Sequence, residues 1–302
     1  LNSISNITTV KKMAVNFTRG DNENLDFSGS DVGSVFNDLT TLTVMAWVIR
    51  TDASDLNFNI FSKWRFAATR DLGFILYRQA TNNALAFDVA FDDTNNNDSV
   101  TSVADVTTNV WHFTAGRWTA SEIACQLDQT IATSSISRTS ISDTVTTTDL
   151  VIANQDDNVN AWDGDIAEVA AWDVALSNNE LNALSRGMHP LRMRRGNMIF
   201  YCPLLNNDYI NEMSGQGWQG SDAGFTLDNA DHPPIQPFGF KEERIFTAAP
   251  AAAPAEDRRR LIIPNDAFLP IGSALWAAKI ARQTLKNDKL DRREFFKKLI
   301  MK

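Results

Sequence analysis

Apolar and polar residues alternate with a period of two in ten separate segments of this chain, and no other feature of the sequence restricts its fold as strongly. That period sends successive side chains to opposite faces of a strand, so each segment has one face to bury. The segments cover residues 12–17, 42–50, 57–64, 73–78, 84–91, 110–118, 122–128, 150–153, 165–172 and 198–204. Turn-forming clusters lie between them, such as DDTNNND at 92–98 and QDDN at 155–158. Asn and Asp favour turns because their side chains bond nearby backbone and tolerate left-handed φ. Strands at this spacing, with almost no helix between them, predict a sandwich or a barrel.

One helix interrupts the alternation. Ser177, Asn178, Asn179 and Glu180 form a capping box, with Leu181 and Leu184 as the apolar face and Gly187 as the stop. With 43% hydrophobic residues in 302, the chain can fill a sizeable core. Its two cysteines, Cys125 and Cys202, are expected as small buried residues rather than as a staple. No run of 18 apolar residues occurs, so no membrane span is expected.

The composition changes after residue 245. AAPAAAPAED opens a stiff Ala/Pro- and Arg-rich linker over 246–265, and an amphipathic helical extension is expected over 266–302. Leu275, Ile280, Leu285, Phe295 and Leu299 mark its apolar, partner-docking stripe. From Phe246 onward the net charge is +6, against −15 for the rest. An acidic body with a basic tail points to different partners for the two. The basic residues are interleaved with acids and apolars, which disfavours nucleic acid.

The stretch LVIANQDDNVNAWDGDIAEVAAWDVALSNNEL at 150–181 resembles the signature of laminin-G-like and pentraxin-like domains. Upstream, MAVNFTRGDNENLDF, LTVMAWVIR, VWHFTAGRW and QLDQ resemble that family's opening strand and turn, Trp strand, Trp-His strand and Asp-bearing hairpin, in the same order. The resemblance covers about residues 12–225. It implies an all-β fold, a two-sheet antiparallel jelly-roll sandwich of the concanavalin A-like kind, over residues 1–245. The tail, with RRRLII, is similar in composition to the ends of phage virion proteins that carry such a domain.

The resemblance also implies sites. Gln155, Asp156 and Asp157, with Asp71, fall where pentraxins hold calcium, although the order of acid and amide is altered and Leu72 replaces a polar ligand. Asp21, Asn22 and Asn24 form an alternative oxygen-rich cluster, and turn chemistry alone accounts for both. Asp163, Asp165 and Glu168 nearly match the catalytic motif of glucanases with this fold. Period two, however, places Glu168 on the face opposite the two aspartates. Trp64, Tyr77, Trp118 and Trp218 are candidates for sugar stacking, whereas Trp47, Trp111 and Trp172 alternate with apolar residues and belong to the core. His112, His189 and His232 are scattered and lack zinc-ligand spacing.

Together these readings lead first to a non-catalytic virion structural or decoration protein. Its tail would dock into a capsid, a phage tail or a neighbouring copy, and its sandwich would face a host-surface glycan. The alternative is an extracellular glycan-binding adhesion module, secreted or on a cell surface. A glycoside hydrolase ranks below both. Deleting residues 246–302 is expected to leave the sandwich folded while abolishing incorporation into its assembly. Circular dichroism and co-sedimentation check the two halves, and normal incorporation of the truncated chain would refute the docking role.

Overall fold

The computed structural model describes residues 13–28, 30–36, 39–54, 56–64, 73–90, 97–137, 148–155, 160–204, 210–222 and 226–235. The linker and the helical extension expected after residue 245 lie outside the described residues, as does the stripe from Leu275 to Leu299. In chain order the strands are β1 (Met13–Phe17), β2 (Leu25–Phe27), β3 (Leu42–Val48), β4 (Phe58–Lys63) and β5 (Gly73–Arg78). Next come β6 (Ala84–Ala90), β7 (Asn97–Asp105), β8 (His112–Trp118), β9 (Glu122–Leu127) and β10 (Thr130–Ser135). The last are β11 (Leu150–Ile152), β12 (Gly164–Trp172), β13 (Met198–Cys202), β14 (Ser221–Asp222) and β15 (Thr226–Asp231). Among the described residues two α-helices join them, α1 (Ser30–Val35) and α2 (Asn178–Ser185).

The first sheet runs β10-β9-β8-β3-β12-β1-β15, with β13 also paired to β12; the second runs β14-β2-β11-β4-β5-β6-β7. Every ladder between these strands is antiparallel. The expected two-sheet sandwich is therefore the fold. All ten alternating segments contain a strand, but β2, β7, β10, β14 and β15 were not anticipated, nor was α1. NDSVTSVAD in β7 is too polar to signal burial, and the turn expected over 92–98 gives way to that strand at Asn97.

Inward-facing side chains of both sheets form the central core, including Phe17, Phe27, Phe61, Phe74, Phe87, Trp162, Ile166 and Phe200. Phe61 stacks on Phe200 at 5.3 Å between ring centroids, and Phe27 meets Phe200 edge-on at 5.0 Å. Each such side chain contributes on the order of 1.5–3 kcal/mol when fully buried. Cys125 and Cys202 sit in this core as thiols without a disulfide, and burial pushes both up beyond ordinary thiol values.

A second layer covers the outer face of the first sheet. Met45, Trp47, Phe113, Ala170, Trp172 and Tyr201 point outward and pack beneath Leu176, Leu181 and Leu184 of the α2 region. The capping box forms as expected: Ser177 Oγ accepts from the Glu180 backbone, and the Glu180 carboxylate accepts from the Ser177 N–H at 2.8 Å. Gly187 ends the helix at φ +87°, and a Cβ there would overlap the Pro234 carbonyl. Arg117 ties sheet to helix, donating to the Leu176 carbonyl at 2.9 Å and to Asn178 Oδ1 at 2.7 Å. The Trp-His strand and the Asp-bearing hairpin meet directly, His112 Nδ1 lying 2.8 Å from Asp128 Oδ2.

Close approach of the two sheets depends on Gly116, where a Cβ would overlap the ring of Phe87. Substituting Gly116→Ala is expected to destabilise the sandwich by about 1–3 kcal/mol through overpacking. Urea denaturation measures this, and an unchanged midpoint would show that the sheets can separate without cost.

Candidate functional site

The outer face of the second sheet carries a polar pocket whose position follows from strand register. In β4, Phe58 and Ile60 enter the core and Asn59 turns outward. A bulge between Asn59 and Phe61 then sends Phe61 inward as well. Asn59 stands opposite Tyr77, Ile75 opposite Asp88, and Asp88 opposite Ser99. Asn59, Ile75, Tyr77 and Asp88 therefore share one face. Trp64, immediately after β4, packs there with Ile75, Ala90 and Tyr77. Asn57 borders the pocket from the chain entering β4, while Gln155 and Asn160 border it from the segments after β11 and before β12. The pocket is open on its outer side, with a volume of about 100 Å³.

Hydrogen bonds fix these walls. Asn59 Nδ2 donates to Gln155 Oε1 at 3.0 Å, and the Asn59 backbone N–H donates to the Asn160 carbonyl at 2.8 Å. Tyr77 donates its hydroxyl to Asp88 Oδ2 at 3.1 Å, and Ser99 donates to Asp88 Oδ1 at 2.5 Å. Burial, reinforced by the Asp88 carboxylate, raises the Tyr77 phenol far above its ordinary range, so it stays a donor. Asn57 Oδ1 accepts from the Ala80 N–H at 2.8 Å, which fixes the exposed amide at the rim. The result is one apolar wall with a half-buried ring, set beside a carboxylate and several amides.

Two separate expectations converge on this pocket. Trp64 and Tyr77, named as stacking candidates, line it together with Gln155, named as a calcium ligand. The remaining calcium candidates, Asp71, Asp156 and Asp157, lie outside the described residues. Gln155 Oε1 accepts from Asn59 Nδ2. Among the described residues no three acidic, His or Cys side chains converge as a metal site. Trp118 has the inward parity of β8 and is fully buried in the central core, and Trp64, although it lines the pocket, is buried too, so neither is an exposed platform. Trp218 is half-buried, stacked on Phe200 at 6.4 Å, and is not among the described residues that line this pocket. Trp47 and Trp172 are buried as expected, with Trp111 packed beside them.

Asn57, Asn59, Asp88 and Asn160 were not singled out from the sequence. A signal exists for Asp88: in ALAFDVA it shares its parity with Ala84, Ala86 and Ala90, so one acid projects among small residues. Asn57 and Asn59 alternate with Phe58 and Ile60 in the same way.

The near-match to a glucanase motif resolves differently from its expected geometry. A register shift between Ala167 and Ala170 marks a bulge, with Glu168 at φ +57°. Val169 and Ala171 face the central core while Ala170 and Trp172 face the second layer, so the extra residue re-aims Glu168 outward. This corrects the expectation that Glu168 faces away from Asp163 and Asp165. Glu168 has no accessible surface, however. It accepts from the Tyr201 hydroxyl at 2.6 Å, and His232 Nε2 lies 3.0 Å from its other oxygen. His189 Nε2 is 3.4 Å from the same hydroxyl, so of the histidines scattered in sequence one lies against the buried carboxylate and another against the tyrosine bonded to it. Burial and the Glu168 charge raise the Tyr201 phenol well above its usual value, keeping it a donor. Asp163 and Asp165 are engaged elsewhere, accepting from Thr51 at 2.8 Å and from Asn16 at 2.9 Å.

A family model described as the concanavalin A-like lectin/glucanases superfamily matches residues 20–182. A protein from Bacteroides ovatus described as carbohydrate binding superposes with a TM-score of 0.54 at 17% identity, over 78% of this chain and 68% of that one. The CBM40 of the Ruminococcus gnavus IT-sialidase, bound to α2,3-sialyllactose, gives 0.47 at 15% identity, over 58% of this chain and 98% of that one. A heptameric SAP-like pentraxin from Limulus polyphemus gives 0.42 at 14% identity, over 75% and 94%. These identities reflect fold alone. No curated protein matches the sequence.

Since glucanases stand beside lectins in that description, Glu168 is a discriminating side chain. Glu168→Ala is expected to cost about 1–3 kcal/mol of stability, because it leaves the buried Tyr201 hydroxyl without its acceptor. Chemical denaturation checks this. A variant as stable as the parent would mean that Glu168 serves something other than the fold.

Proposed function

The chain belongs to the concanavalin A-like lectin/glucanase superfamily, and on that footing we propose that its sandwich is a non-catalytic carbohydrate-binding module acting through the outer pocket of the second sheet. The observation that carries the reading is the placement of the Tyr77 ring beside the Asp88 carboxylate and the amides of Asn57, Asn59 and Gln155. A sugar presents C–H faces that pack on an aromatic ring and hydroxyls that need acceptors and donors, and the pocket offers both. Glycoside hydrolysis calls for two carboxyl groups flanking one bond. Among the described lining residues Asp88 is the one carboxylate, and Glu168 is sealed beneath the second layer.

The virion role expected first rests on residues 246–302, whereas the fold and the pocket support the binding alternative. Docking of the basic tail into a larger assembly, a virus particle among the options, stays part of the proposal on the strength of the +6 against −15 charge split. Localisation on a particle goes with that docking role, and localisation outside the cell with the carbohydrate-binding reading.

Screening the full chain on a glycan array, followed by calorimetry on the best ligand, tests the binding reading. Tyr77→Ala is expected to weaken that ligand roughly tenfold, about 1.4 kcal/mol, through loss of ring contact. Unchanged affinity in this variant would place the site elsewhere.

A further inference from the structure

We propose that Thr107 is a nucleophilic site that takes up an acyl group from an activated ester or thioester, with His112 as its base and Asp128 as the positioning residue. This goes beyond the carbohydrate-binding reading and does not rest on it, since none of the three is among the described residues lining the outer pocket. Thr107 Oγ1 lies 2.8 Å from His112 Nε2, and His112 Nδ1 lies 2.8 Å from Asp128 Oδ2. A hydroxyl, an imidazole and a carboxylate joined in that order activate the alcohol toward acyl carbon.

Each member is held in place by the backbone. Asp128 sits at φ +53° just after β9; its N–H donates to the Phe113 carbonyl at 2.8 Å, and its Oδ1 accepts from the Phe113 N–H at 2.9 Å. Oδ2 is thereby aimed at the imidazole. Ionised Asp can only accept, so Nδ1 carries the proton and Nε2 of the neutral ring keeps its lone pair toward the Thr107 hydroxyl. Thr107 is pinned on both sides: the Val106 N–H donates to the Asn83 carbonyl at 3.1 Å, and the Asn109 N–H to the Arg50 carbonyl at 2.8 Å. The His112 side chain is only 9% exposed while Thr107 is exposed, so an incoming acyl group meets the hydroxyl before the ring.

In the reaction Thr107 Oγ1 bonds to the acyl carbon as its proton passes to His112 Nε2. The bond from that carbon to the leaving oxygen or sulfur breaks, and the leaving group takes the proton from Nε2. Nothing is oxidised or reduced, and the chain keeps the acyl group as an ester on Thr107.

The test incubates the full chain with p-nitrophenyl acetate and, separately, with the acetyl thioester of N-acetylcysteamine, and peptide mass mapping locates the acetyl groups. With at least one reagent Thr107 should be acetylated at least tenfold faster than any other Ser or Thr. Thr107→Ser should keep that lead, and Thr107→Ala should lose the adduct. Asp128→Asn retains the left-handed backbone, which Asn tolerates, but its amide donates to Nδ1 and shifts the ring proton to Nε2. Labelling of Thr107 should then fall roughly a hundredfold, with the change of tautomer visible in the nitrogen NMR of His112 and a melting curve verifying the fold. Thr107 is exposed, so its two variants decide the matter should Asp128→Asn fail to fold. If neither reagent labels Thr107 ahead of other hydroxyls, if the acetyl group settles on His112 instead, or if folded Asp128→Asn is labelled at the parent rate, the proposal is overturned and the three residues only brace the loop.

Discussion

Strand β12 must satisfy three neighbours, and the rest of the molecule is arranged around how it does so. One edge pairs with β3 along most of its length, while the other is shared by β1 over Gly164–Ile166 and by β13 over Val169–Trp172. The bulge at Glu168 lies between the two partners on the shared edge. It lets β12 change partner without losing its backbone bonds, since the Glu168 N–H is taken up by the Pro203 carbonyl. The extra residue also drives a carboxylate into an apolar layer, which would be prohibitive alone. Tyr201 from β13 and His232 from the last described segment stand against it. The central ladder, the outer layer and the closing segment are thus fixed at one point.

The two outer faces of the sandwich consequently have different fates. The first sheet is covered by the α2 region, with Trp172 donating to the Met193 carbonyl at 2.9 Å and Thr43 bonding both Val174 and Leu176. Its outward residues are large and apolar, as a covered face requires. The second sheet turns outward Asn59, Ser62, Ile75, Tyr77 and Asp88, a mixture of amide, hydroxyl, ring and acid that suits contact with a hydroxylated ligand. The proposed binding role therefore belongs to the face that the fold leaves polar, in keeping with the rule that sites rather than folds carry activity.

Rigidity of the pocket comes from its own bonds. Tyr77, Asp88 and Ser99 lie on three adjacent strands and form a chain of contacts across the sheet, and Asn59 and Gln155 bridge β4 to the segment after β11. Side chains held this way lose little further freedom when a ligand arrives, which favours binding by a shallow site. Free rotamers at the same positions would have to be ordered at the moment of contact.

Strand existence, the sandwich class and the capped helix were legible in the sequence because they depend on local periodicity and on spacings of a few residues. Trp64 and Tyr77 were legible as site candidates from residue chemistry, and Gln155 from the family resemblance, which offered it as a calcium ligand. Their meeting in one pocket was decided by the tertiary structure, since it depends on the register of β4 on β5 and on where the chain returns after β11. Trp118 shows the converse: its chemistry suited a sugar platform, but the parity of β8 against β3 turned it into the core. Glu168 shows the limit of period two. A single inserted residue reverses which face a side chain occupies, and whether a strand bulges is set by the partners competing for its edge, which lie far away in sequence.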